Sequence, residues 1–213
     1  MLKKLNTFYL KQLFRPNLLS VIINPFYFIR KRLYNEIHQK APFLKGSILD
    51  LGCGLKPYKQ LFTGATEYIG VDIENPGHDH SKENVDVYYD GKTIPFVDAH
   101  FQGIFFSEVL EHVFEPEALL KEMNRVLQKD GFLLLTTPFA WDEHEVPFDF
   151  GRYTVYGLRH ILENSGFEVL EIKKSGHYIE VISQYLINYI RMVIYTRNII
   201  RRFSEWTGKH RSI

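Results

Sequence analysis

The sequence predicts an α/β fold built on a doubly wound, mostly parallel sheet. Three observations carry this: short apolar runs alternate with stretches of helical periodicity, the first run ends in a glycine turn, and 213 residues suit one sizeable core. Strands are expected at 47–51, 68–71, 85–89, 103–106 and 132–136. Between the last two, Leu119, Leu120, Met123, Val126 and Leu127 share one helical face, with Pro116 suited to the first turn and Gly131 as a stop signal. The same grammar predicts a helix over 154–165: Thr154 can cap it, Val155, Leu158, Ile161 and Leu162 form its apolar stripe, and Gly166 ends it. A sixth strand is expected at 167–172. Past Gly176, Ile182, Tyr185, Leu186, Tyr189, Ile190, Val193 and Ile194 recur at helical spacing and predict one long amphipathic helix. That stripe suits packing on the body or a partner subunit first, and a membrane surface second.

Charge divides the chain into a basic helical segment over 1–45, an acidic body over 46–176 and a basic amphipathic helix over 177–213. Lys and Arg number 26 against 25 Asp and Glu, so a net charge of +1 offers no footprint for nucleic acid. Residues 1–45 hold nine basic residues and one acid, Glu36, while 191–213 hold six and one, Glu205. Between them lie 11 basic and 23 acidic residues. The basic ends suit peripheral contact with an anionic membrane. The apolar run 18–29 is broken by Asn24-Pro25 and followed by Arg30-Lys31-Arg32, unlike a secretory leader. The stretch 178–196 contains Glu180, Gln184, Asn188 and Arg191, too polar to cross ~30 Å of hydrocarbon. The single cysteine, Cys53, excludes an intramolecular disulfide. A cytoplasmic location is expected, at most peripheral at the inner membrane surface.

Chemistry begins at Ile48-Leu49-Asp50-Leu51-Gly52-Cys53-Gly54, an apolar strand running into a turn where missing side chains let a ligand approach the backbone. Eighteen residues later, Asp72 ends the apolar run Tyr68-Ile69-Gly70-Val71, where a carboxylate can accept hydrogen bonds from both ribose hydroxyls. A nicotinamide-dependent oxidoreductase shares that device. Its fingerprint needs a third glycine, however, and here the series runs Gly52-Cys53-Gly54-Leu55-Lys56-Pro57. Cys53 reads as a small turn residue with nothing nearby to lower its thiol pKa.

Residues 48–54, 68–74, 89–96 (YDGKTIPF) and 106–113 (FSEVLEHV) together resemble the successive motifs of class I S-adenosylmethionine-dependent methyltransferases, in order and spacing. The resemblance covers about 47–173 and is closest to the branch of quinone-biosynthesis and polysaccharide- or glycolipid-pathway methyltransferases. It implies a Rossmann-like sheet of that type and S-adenosyl-L-methionine as cofactor. Asp50, Gly52, Cys53 and Gly54 would then line the methionine end, Asp72 would hold the ribose and Asp90 the adenine amino group, with Ile73 and Gly91 flanking the adenine. Ser107 and Glu108 would lie near the sulfonium. Such sheets usually end in an antiparallel seventh strand, which is not evident here, so an uncovered sheet edge would favour a homodimer or covering by the last helix.

The methyl acceptor is expected beneath residues 139–153, which follow the fifth strand and should overhang the carboxyl ends of the sheet. In-line displacement needs the acceptor atom within about 3–3.5 Å of the methyl group, and a hydroxyl also needs a base. His144 has the intrinsic pKa for that base. Asp142, Glu143 or Glu145 could orient its ring, while Trp141, Phe148, Phe150 and Tyr153 supply apolar walls. Arg152 suits an anionic acceptor group or a salt bridge to Asp149. Glu111 and His112 read as structural or as pocket wall. His78-Asp79-His80 reads as a solvated loop, so no metal site is expected. The N-terminal helices, from about 18 to 40, are expected to cap the acceptor side. The sequence thus predicts a methyltransferase acting on a small-molecule, sugar or lipid-linked acceptor, most naturally at oxygen; a non-catalytic, methyltransferase-like module tethered to a membrane or partner is the alternative.

Overall fold

A computed structural model describes residues 8–10, 12–17, 20, 24–74 and 84–209, with side chains to residue 194. His78-Asp79-His80 lies outside the described residues. The chain divides into two compact units, one of residues 36–173 and one of residues 1–35 with 174–213.

The larger unit is organised by five parallel strands: β1 (Lys45–Leu51), β2 (Gly64–Ile73), β3 (Val87–Tyr89), β4 (Phe101–Ser107) and β5 (Leu127–Thr136). Their spatial order is β3-β2-β1-β4-β5. The order reverses between β1 and β4, and that switch point opens a crevice beyond the carboxyl ends of the two strands. A parallel strand covered on both faces reads as a continuous apolar run, and Ile48, Leu49 and Leu51 are accordingly all buried. Helix α1 (Tyr27–Lys40) leads into β1.

Helix α2 (Pro116–Val126) connects β4 to β5 and buries Leu119, Leu120, Met123 and Val126 on the stripe the sequence predicted. It ends earlier than expected. Leu127 is extended and pairs with Phe101, while Gly103 pairs with Phe132, so the residues between form an irregularity inside β5. Gly131 belongs to that irregularity and stops no helix: a Cβ there would come within 2.8 Å of Leu127 Cδ1, and the preceding Asp130 takes φ +62°. Helix α3 (Val155–Asn164) begins as predicted, with Thr154 Oγ1 accepting from the Gly157 amide at 3.0 Å. Gly166, at φ +88°, follows its end.

The sixth strand expected at 167–172 does not form. Phe167 and Val169 still pack against the core while Glu168 and Leu170 are exposed, so the two-residue alternation persists. A strand also needs a ladder, and among the described residues no strand follows β5. The segment is instead tied by side chains: Lys40 pairs with Glu171, and Lys173 Nζ donates to both Glu36 carboxylate oxygens at 2.8 and 2.9 Å.

In the other unit, helix α4 (Tyr178–Lys209) is the single long helix predicted after Gly176. Arg32 Nη2 reaches Glu180 Oε1 at 2.6 Å and Gln184 Nε2 donates to the Pro25 carbonyl at 2.6 Å. Its apolar stripe stays open, with Ile182, Leu186, Tyr189 and Ile190 all between 47% and 62% exposed. Among the described residues no helix is long and apolar enough to cross a membrane.

Candidate active site

Parallel register places Leu51 beside Val71, so the turn after β1 lies against the end of β2. The Gly52 amide donates to the Val71 carbonyl at 2.8 Å and the Gly54 amide to Asp72 Oδ2 at 2.8 Å. Asp72 Oδ1 accepts from the Ile73 amide at 2.9 Å. A carboxylate offers about four lone-pair positions, so Asp72 can hold this turn and still accept from a ligand. Gly52 and Gly54 both take positive φ, +71° and +44°. A Cβ on Gly54 would meet nothing within 4 Å, and one on Gly91 only Ile73 Cγ2 at 3.5 Å. Among the described residues Gly54 and Gly91 therefore present bare backbone, whereas a Cβ on Gly52 would fall 2.3 Å from Val109 Cγ2.

Asp50 is buried and accepts from the Tyr68 hydroxyl at 2.7 Å. Burial pushes its carboxyl up to about 7, against the opposing pull of the Tyr68 hydrogen bond and of Lys56. Burial likewise pushes the Cys53 thiol up, which suits its reading as a small turn residue. Asp90 Oδ1 accepts from the amides of Lys92 and Thr93, both at 2.8 Å, and these bonds hold its carboxyl below the usual range. The loop that follows is fixed by Arg125, which donates to the carbonyls of Ile94 and Phe96 at 3.0 and 2.9 Å.

Sequence reasoning missed one support of the turn. Lys56, in the left-handed region at φ +49°, buries its side chain and pairs with Asp86, whose Oδ2 also accepts from the Gly70 amide at 2.7 Å. A Cβ on Gly70 would fall 2.0 Å from Lys56 Cε and 2.7 Å from Cys53 Sγ, so only glycine lets Lys56 pass beneath the turn. The partners are 30 residues apart and their spacing carries no local signal.

At the end of β4, Ser107 Oγ and Thr136 Oγ1 lie 2.7 Å apart, and Thr136 Oγ1 donates to Glu108 Oε1 at 2.9 Å. Glu108 takes φ +56°, a costly conformation for a residue with a side chain. Its amide donates to the Thr136 carbonyl at 3.0 Å. Backbone and side chain are thus both fixed on β5.

The 139–153 segment folds back onto the short turn Leu110–His112, with the amides of Phe150 and Gly151 donating to the Glu111 carbonyl at 2.8 and 3.1 Å. This brings together His112 and His144, whose rings meet edge to face with centroids 4.7 Å apart. His112 Nδ1 lies 2.7 Å from the Phe148 carbonyl, which can only accept, so Nδ1 carries the hydrogen. His144 Nδ1 lies 3.2 Å from both Asp149 Oδ2 and the Asp142 carbonyl, with Arg152 Nη2 farther off at 3.5 Å. The Asp142 carbonyl, which can only accept and lies nearer than Arg152, assigns the hydrogen to Nδ1 here as well. Asp142 meets His144 through its main chain, whereas the carboxylate at the ring is Asp149. Asp149 also accepts from the His144 amide at 2.9 Å and from Arg152 at 2.5 and 2.8 Å. The Arg152 bonds hold the Asp149 carboxyl well below the ordinary range. Glu111 is 1% exposed, and its Oε2 has no hydrogen-bond partner among the described residues. Burial, with the Glu108 charge nearby, pushes its carboxyl up.

Comparison with known proteins agrees with this layout. A family profile described as a methyltransferase domain matches residues 26–172, and the chain belongs to that family. An uncharacterized methyltransferase of Mycolicibacterium gilvum is 31% identical over 130 residues, 54% of this chain and 51% of its own length. A tRNA U34 carboxymethyltransferase of Campylobacter lari is 26% identical, covering 65% of this chain and 55% of its own. The chain thus spans about half the length of these two relatives. An O-methyltransferase of Aspergillus nomiae is 26% identical over 66% of this chain and 73% of its own. Among solved structures, an S-adenosylmethionine-dependent methyltransferase of Mesorhizobium loti superposes with a TM-score of 0.55 at 14% identity, covering 75% and 92% of the two chains. One of Archaeoglobus fulgidus gives 0.51 at 20%, covering 81% and 92%. At such identities the likeness shows the fold. Fold and family together define a class I S-adenosylmethionine-dependent methyltransferase, and they replace the nicotinamide alternative. S-adenosylmethionine is the cofactor this implies. The chain's residues fit it: two glycine positions open on space that side chains would fill, and the carboxylates Asp50, Asp72 and Asp90 stand around them.

Proposed function

We propose that the chain transfers the methyl group of S-adenosylmethionine to a hydroxyl oxygen of a small-molecule, sugar or lipid-linked acceptor. The observation that carries this reading is the His144 ring: the Asp142 carbonyl accepts from Nδ1, with the Asp149 carboxylate 3.2 Å away, so the lone pair of Nε2 is left to act. The bound donor supplies a methyl group on a sulfonium, which leaves as a neutral thioether under in-line attack. In this reading Asp72 accepts from the ribose hydroxyls and Asp90 from the adenine amino group, while Ile73 and Gly91 flank the adenine. Asp50 and the Gly52–Cys53–Gly54 turn receive the methionine end, and Ser107 and Glu108 border the sulfonium. His144 activates the acceptor hydroxyl through Nε2. Asp149, clamped by Arg152, acts as a positioning residue that fixes the ring. Phe148 and Phe150, each 45% exposed, offer an apolar wall for an acceptor to cover. The Aspergillus nomiae relative, named an O-methyltransferase, supports oxygen as the acceptor atom.

The test is a screen of cell-extract molecules for those that gain a methyl group from isotopically labelled donor in the presence of the protein. A labelled hydroxyl compound is the expected product. Label found only on nitrogen or carbon would contradict the assignment of the acceptor atom.

A further inference from the structure

We propose that Glu111, His112 and His144 form a binding site for one divalent transition-metal ion of the zinc, cobalt or manganese kind. One donor atom from each of the three residues lies within 4.8 Å of the others. Ligands at about 2.0–2.1 Å around a tetrahedral ion stand roughly 3.3 Å apart, so the widest gap in the set closes by no more than about 1.5 Å.

Three further observations point to a cation rather than to a chance cluster. First, both imidazoles are held in the tautomer that a metal ligand needs. His112 Nδ1 donates to the Phe148 carbonyl at 2.7 Å and His144 Nδ1 to the Asp142 carbonyl at 3.2 Å, so in the neutral rings both Nε2 lone pairs are left for a ligand bond. A backbone carbonyl stands behind each ring, one of the partners that orient histidine ligands in metal sites, and the Asp149 carboxylate lies 3.2 Å from His144 Nδ1. Second, Glu111 is 1% exposed and its Oε2 has no hydrogen-bond partner among the described residues, a costly arrangement for a charged carboxylate unless something positive meets it. Third, Glu145 Oε2 lies 3.8 Å from His112 Nε2, so a second carboxylate borders the same position. Two imidazoles with one carboxylate suit borderline ions such as zinc, whereas magnesium prefers oxygen ligands.

Three protein ligands leave coordination positions open, and the cluster belongs to the segments assigned to the acceptor. The role follows from that placement and rests on the methyl-transfer reading: the ion would bind the acceptor oxygen and lower the pKa of its hydroxyl, whose proton passes to water, with His144 then serving as a ligand in place of the general base. The binding itself rests on the three side chains alone.

Cobalt(II) tests it directly, because its visible absorption reports coordination. Chelator-treated full-length protein is titrated with cobalt(II) and, separately, with zinc(II) and magnesium(II), and S-adenosylmethionine binding is measured calorimetrically on the same preparations. The expected result is one cobalt per chain, displaced by zinc and not by magnesium. Affinity should fall at least about 100-fold in His112→Ala, His144→Ala and Glu111→Gln, a larger loss than removing an outer partner gives. Unchanged donor binding certifies that a variant is folded, and His144→Ala, on an overhanging segment, carries the test should a buried variant fail that check. Wild-type protein that binds the donor but neither cobalt nor zinc overturns the metal site and leaves the methyl-transfer reading standing. So does cobalt binding of equal strength in His144→Ala. Metal binding without donor binding would have the opposite meaning, sinking the methyl-transfer reading and keeping the site.

Discussion

Asp72→Ala lowers the affinity for S-adenosylmethionine by roughly 10²- to 10⁴-fold. Two bonds from ribose hydroxyls to a carboxylate are worth about 1.5–3 kcal/mol each, and about 1.4 kcal/mol is a factor of ten. The substitution also frees the Gly54 amide, which Asp72 Oδ2 accepts at 2.8 Å, so the glycine turn loses the group that holds it beside β2. Isothermal titration of wild type and variant with the donor reads the change. Asp72→Asn, which keeps the shape and loses the charge, should fall between them. A variant that binds within about threefold of wild type, well under the ~1.4 kcal/mol that a factor of ten requires, would remove Asp72 from the cofactor site.

His144→Ala leaves donor affinity nearly intact and lowers turnover by roughly 10²- to 10⁴-fold, the range that positioned acid–base groups contribute. The two effects separate because the residues lie on different segments: Asp72 ends β2, while His144 belongs to the overhang after β5 and contacts Asp142, Asp149, Arg152 and His112. Asp149→Asn is the companion variant. It keeps a hydrogen-bond acceptor for the His144 amide but weakens the Arg152 clamp, so its turnover should lie between wild type and His144→Ala. Steady-state rates with the acceptor found by labelling, together with donor titrations on the same samples, check both. Unchanged turnover in His144→Ala would retire this residue from acceptor activation whether it acts as a base or as a metal ligand.

Legibility in the sequence followed the range of the interactions. The apolar run ending at Leu51 and the acid ending β2 were readable because strand burial and strand-end chemistry are written within a few residues, and parallel register then brings them together. The Thr154 cap and Gly166 stop were readable for the same reason. The end of α2 was not, because Leu127 is drawn into β5 by its pairing with Phe101, a contact across 26 positions that helical periodicity cannot register. Residues 167–172 carry the alternation of a strand without a ladder to join, so their pattern was legible and their pairing was not. The site divides in the same way. Gly52, Gly54 and Asp72 announce themselves by local chemistry. Lys56 with Asp86, and His112 with His144, become pairs only when separate loops close on each other. Asp142, Glu143 and Glu145 all lie within two residues of His144 along the chain, yet the loop presents the carboxylate of Asp149 to the ring.

The most direct measurement is a crystal structure of the protein soaked with S-adenosylmethionine. The account predicts adenosyl density across the carboxyl ends of β1 and β2, with ribose oxygens in hydrogen-bond reach of Asp72 and the methionine end over the Gly52–Cys53–Gly54 turn. Density elsewhere, or that space filled by the chain's own side chains while the donor stays in solution, would contradict it.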